Sequence, residues 1–131
     1  MIPARAVTAL GAVLAVSLAG CGSSGKSDKG GDADAGATVH LKLLQFNPST
    51  LTVAPGTKVK FVNDEVISHT VTTGKFTVGA DKFRSSEEPD GKLDAQLKAK
   101  GDSTTYVFAT AGTYQYFCTI HKAMQGQIVV R

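Results

Sequence analysis

From residue 39 onward, apolar positions recur every second residue in short runs, and turn residues separate the runs. Val39, Leu41 and Leu43 alternate with His40 and Lys42, the period of a strand with one buried face. Phe46, Asn47 and Pro48 end that run. Residues 51–53 form a short second strand, closed by Ala54, Pro55 and Gly56 in a natural turn order. Residues 58–63 alternate again with Val59 and Phe61 inward, and residues 69–73 make a further strand stopped at Gly74. The strongest strand signals are 103–108 and 112–118, rich in Thr, Val, Tyr and Phe, and residues 126–130 close the series. Tyr114 and Tyr116 share the parity of Cys118 and belong in the core, whereas His40 falls on a polar face. Residues 75–100 read less sharply. Phe76, Thr77 and Val78 are strand-like, residues 85–91 are polar, and Leu93 and Leu97 lie four apart. That spacing fits a short helix with both leucines on one face, or a loop anchored by them. The runs predict an all-β sandwich of seven to eight strands.

The chain before these runs has a different character. Residues 1–20 read as an export signal: Arg5 gives a positive start, and an apolar stretch follows over residues 6–16. The stretch is shorter than the roughly 20 residues that span a bilayer. Leu18, Ala19, Gly20 and Cys21 resemble a lipobox, which implies cleavage before Cys21 and a lipid on its thiol. Residues 21–36 hold glycine, serine and charges of both signs, with no large apolar residue, and read as a flexible tether. The folded domain is residues 37–131, about 95 residues, enough for one modest core without several disulfides.

Charge and cysteine usage narrow the function. A net charge of +3 with no Lys/Arg cluster excludes a nucleic-acid footprint. There are two cysteines. With Cys21 lipidated, Cys118 stands alone in an exported chain, where thiols tend to pair or oxidise. A Cys21–Cys118 disulfide is the bland alternative.

Cys118 has a more specific context. Cys118, His121 and Met124 place a thiolate, an imidazole and a thioether within one short loop between two predicted strands. Soft sulfur donors suit copper, and a His₂Cys set with a weak axial Met is the donor set of a blue-copper site. His69, at the start of a strand, can supply the second imidazole. Zinc suits this set less well, since thioether is a poor zinc ligand and copper binds more tightly in the divalent series. A binuclear copper centre needs a second cysteine in the loop, and a multicopper oxidase needs His-x-His pairs that three histidines cannot supply.

Residues 111–124 resemble the C-terminal signature of plastocyanin-type cupredoxins, and the Cys-x₂-His-x₂-Met spacing is similar to the ligand loop of amicyanin and pseudoazurin. Residues 125–130 resemble the family's last strand, and Val62 to Glu65 followed by His69, Thr70 and Val71 resembles its first-histidine region. The lipobox and tether are similar to those of lipid-anchored halocyanins. The resemblance implies a Greek-key β-sandwich holding one type 1 copper ion that alternates between Cu(I) and Cu(II). Its ligands would be His69, Cys118 and His121 in plane and Met124 as the long axial one, with the ring edge of His121 as the electron route.

Three positions depart from the family pattern. Thr70 stands where the family usually has an asparagine that ties the ligand loops together, and Ser68 and Ile120 stand where proline is common. Phe117 is expected to point outward beside Cys118, with no acidic run to make a remote dock. Asp64 and Glu65 read as solvated turn residues.

The implied function is single-electron transfer, without catalytic turnover, between redox partners such as a cytochrome, an oxidase or a dehydrogenase. The chain would act as a monomer at the outer face of the cell membrane, on its periplasmic or extracellular side. Copper delivery or storage is the second reading. A metal-free interaction module is the third, opposed by the intact set of four donors.

Overall fold

The computed structural model describes residues 36–131. The export signal, Cys21 and nearly all of the tether lie outside the described residues. The described chain forms nine strands: β1 (Ala37–Lys42), β2 (Gln45–Asn47), β3 (Thr50–Val53), β4 (Thr57–Asn63), β5 (His69–Val78), β6 (Arg84–Leu97), β7 (Ser103–Phe108), β8 (Gly112–Phe117) and β9 (Gln125–Val130). One sheet has the order β2-β1-β4-β7 and the other β3-β9-β8-β5-β6. The domain is thus an all-β sandwich. β1 runs parallel to β4 and β3 parallel to β9, while the remaining pairs are antiparallel.

Alternation decides what lies between the sheets. Val39 and Leu41 from β1, Val59 and Phe61 from β4, Tyr116 from β8, and Ile128 and Val130 from β9 are buried in one cluster. Their neighbours point out, as the period of two requires. Tyr116 sits at its centre, with Phe46 and Phe61 edge-on to it at ring centroid distances of 4.7 and 5.2 Å. Tyr114 packs against the cluster part-buried, and His40 is on the exposed face.

The strand count exceeds the expected seven to eight because the chain does not simply stop at Phe46. Lys42 pairs with Gln45, so Leu43 and Leu44 form a two-residue hairpin turn, and Phe46 returns to the core as β2. Both turn residues have positive φ, 55° and 58°, which a two-residue turn of the hairpin type requires and which leucine adopts at a cost.

Residues 93–97 are strand, which overturns both the short helix and the anchored loop. A spacing of four fits a period of two as well as 3.6. Ala95, which packs against the core between Leu93 and Leu97, shows that the period is two. β6 pairs with β5 along nearly its whole length, with register shifts after Thr72 and Thr77. Residues 75–92 therefore form the outer arm of a long hairpin, which reaches Arg84 at its turn end.

Candidate metal centre

The two segments that carry the donors arrive at one end of the sandwich. β8 ends at Phe117, so Cys118 opens the loop to β9, and His69 opens β5. Thr72 pairs with Phe117 across the sheet, which sets the start of β5 beside the end of β8. The metal-binding atoms of His69, Cys118 and His121 lie within 4.8 Å of one another. Nδ1 of His69 is 4.0 Å and Nδ1 of His121 3.5 Å from the Cys118 Sγ. Met124 stands close to the other three, fully buried. His69 and Cys118 are also fully buried, while His121 is part-exposed. All four expected residues are thus brought together. Cys21 lies outside the described residues.

The loop that joins Cys118 to Met124 is closed on itself. Cys118 N–H donates to the Met124 carbonyl at 3.0 Å, and Met124 N–H donates to the His121 carbonyl at 3.0 Å. These two bonds curl seven residues into one turn, so three donors face a single point.

Thr70 performs the tie that the departure from asparagine put in question. Its Oγ1 accepts the Thr119 N–H at 2.7 Å, and its own N–H donates to the Cys118 sulfur at 3.3 Å. One hydroxyl and one backbone amide therefore link the first-histidine strand to the cysteine loop.

Glu65 is not a freely solvated turn residue. Its Oε2 lies 2.8 Å from His69 Nε2 and accepts the Leu44 N–H at 3.2 Å. A carboxylate accepts, so His69 carries its proton on Nε2 and presents the Nδ1 lone pair towards Cys118. Partial burial pushes the Glu65 carboxyl up. The Leu44 N–H and the His69 ring outweigh that and hold it below its ordinary value. His121 is pushed below its ordinary value by burial, with the adjacent His69 adding to the shift. Its ring is then more readily the neutral base that a metal needs. Asp64 is also engaged, through an oxygen 2.9 Å from Nδ1 of the exposed His40.

Phe117 does not reach solvent. It faces away from the sandwich interior but is fully buried, under Phe76 at 6.0 Å and the Arg84 guanidinium at 5.0 Å. The long β5–β6 hairpin covers that face, and the sequence around Phe117 gives no sign of it. Arg84 also escapes a reading of the sequence. It looks like a surface residue in a polar stretch, yet it is buried behind the ligand loop.

The chemistry of this set fits copper. Two imidazole nitrogens and one thiolate converge, a thioether is adjacent, and the other nitrogen of His69 is already taken by a carboxylate. A β-sandwich with such a set at one end defines a cupredoxin. The comparisons agree with that class. The chain matches the copper-binding proteins of the plastocyanin/azurin family over residues 33–131. It is 33% identical to an amicyanin of Paracoccus versutus over 98 residues, which are 75% of this chain and 66% of that protein. It is 36% identical to a plastocyanin of Scenedesmus fuscus over 107 residues, covering 76% and 93%. A solved structure of an amicyanin mutant in its reduced state superposes with a TM-score of 0.54 at 30% identity, over 76% of this chain and 85% of that one. The chain belongs to the plastocyanin/azurin family of copper-binding proteins, and copper is its cofactor.

Proposed function

We propose that the protein carries single electrons between redox proteins at the outer face of a membrane, held there by a lipid on Cys21. His69, Cys118, His121 and Met124 are the copper ligands in this reading. The bound ion accepts one electron as Cu(II) and releases it as Cu(I). The supporting observation is a closed donor set with one ligand edge at the surface. Cys118, His69 and Met124 are fully buried, so no substrate can reach the site beside them, and no catalytic turnover is proposed. His121 alone is part-exposed.

Exposed apolar side chains lie at the same end of the domain. Leu43, Leu44, Val66, Ile67 and Ile120 are all exposed. They are gathered at this end because Leu44 is bonded to Glu65 and Glu65 to His69, whose ring lies 4.9 Å from that of His121. Exposed apolar side chains beside the ligand edge let a partner dry the contact there. The partner is another redox protein (a cytochrome, oxidase or dehydrogenase), and the chain works as a monomer.

Copper retention tests this reading against copper delivery. The copper-loaded mature chain is cycled between ascorbate and ferricyanide with a Cu(I) chelator in excess. A carrier keeps its copper and recovers its colour in every cycle. Loss of the metal to the chelator at the first reduction would contradict electron carriage and favour delivery.

A further inference from the structure

We propose that Arg84 is a positioning residue for the copper site: its guanidinium fixes the ligand loop by holding the backbone carbonyls of three ligand residues at once. This rests on the ligand set proposed above. Nη1 donates to the Met124 carbonyl at 2.7 Å and to Gln125 Oε1 at 3.0 Å. Nη2 donates to the carbonyls of Cys118 and His121, the latter at 3.1 Å. Nε donates to Glu87 Oε1 at 3.0 Å. A guanidinium has five N–H donors in a rigid fork, and here each has an acceptor.

The placement is costly and specific. Arg84 is 6% exposed, and a buried cation is unfavourable unless it is paired and fully bonded. Glu87 supplies the pairing charge and is itself held by Lys122 Nζ at 2.7 Å, while the Arg84 N–H donates to the Lys122 carbonyl at 3.0 Å. β6 therefore grips the loop from both the side chain and the backbone, although β6 supplies no ligand. Inside the loop only two backbone bonds close the turn. Arg84 adds three more acceptor contacts, and they fall on Cys118, His121 and Met124. A loop held this way keeps its donors in place when the charge of the site changes by one.

A role limited to general stability predicts something different, so the test separates the two. The full-length copper-loaded chain is compared with Arg84→Met, Arg84→Lys and Glu87→Gln. Three properties are read: the intensity ratio of the thiolate bands, the Cu(II) hyperfine splitting, and the rate of Cu(I) loss to a chelator. Arg84→Met should change the band ratio and the splitting, and should speed copper loss about ten-fold, as expected for losing bonds worth a factor of ten in binding. Arg84→Lys, which keeps the charge but not the fork, should fall between Arg84→Met and wild type. Glu87→Gln should shift the same readouts in the same direction by less.

A lower melting midpoint of the apo-protein, with band ratio, splitting and loss rate all unchanged, would overturn the proposal. If Arg84→Met does not fold, unchanged readouts in Arg84→Lys and Glu87→Gln would overturn it equally. A wild-type chain with no thiolate band would instead overturn the ligand set, and the proposed role with it.

Discussion

Gly126→Ala is expected to destabilise the domain by about 3 kcal/mol, the upper range for overpacking a rigid core. A Cβ at this position would stand 2.6 Å from the Tyr116 hydroxyl and 2.8 Å from the Ser49 carbonyl. Neither neighbour can retreat easily. Ser49 O already accepts the Gln127 N–H at 2.8 Å, and the Tyr116 ring is wedged between Phe46 and Phe61. Gly126 is paired directly with Tyr116 in the β8–β9 ladder, so either the ring or β9 must move. Movement of β9 would drag Met124, two residues upstream. Urea unfolding of the apo-protein measures the cost.

The companion change is Tyr116→Phe. The Tyr116 hydroxyl is buried without a hydrogen-bond partner, and burial alone pushes its ionisation far above the ordinary tyrosine value. Removing an unpaired buried hydroxyl is expected to be neutral or to stabilise by up to about 1 kcal/mol. It relieves only one of the overlaps at Gly126, since the Tyr116 Cζ at 2.7 Å and the Ser49 carbonyl at 2.8 Å remain in the way of a Cβ, so the double variant should stay close to the Gly126→Ala loss. A Gly126→Ala protein that unfolds like the wild type would contradict this description of the core.

Glu65→Gln is expected to raise the reduction potential by roughly 60 mV, the one-electron equivalent of a tenfold change in equilibrium constant. Glu65 is held ionised by the Leu44 N–H and by His69, in spite of its partial burial. Its negative charge is passed to the site through a 2.8 Å contact with a ligand ring. A negative charge there favours the more positive oxidation state of the metal, so neutralising it favours Cu(I). Voltammetry of the loaded protein measures the shift. A potential that is unchanged or lower would show that Glu65 does not act on the metal in this way.

The strand pattern and the donor set were legible in the sequence because each rests on local information. Val39 and Leu41, or Val59 and Phe61, announce a buried face by alternation alone. Cys118, His121 and Met124 are separated by so few residues that any turn between two strands brings them together. His69 was harder, since it lies far along the chain, yet its place at a strand start was enough. The features that escaped depend on tertiary packing. Leu93 and Leu97 fit two periods equally, and only pairing with β5 selects the strand. Phe117 is buried because residues 75–92 fold over it. Arg84 and Glu65 belong to polar stretches, and what distinguishes them is the carbonyls and the ring they meet after folding. The Thr70 hydroxyl likewise reveals its use only once the Thr119 N–H is seen 2.7 Å away.

The central claim is that His69, Cys118, His121 and Met124 hold one type 1 copper ion. The most direct measurement is the visible absorption spectrum of the protein after addition of Cu(II), with Cys118→Ser as the control. The account predicts an intense blue or green thiolate-to-copper band, absent in Cys118→Ser and bleached reversibly by a reductant. A colourless or weakly coloured protein, or a band that survives the loss of Cys118, would contradict it.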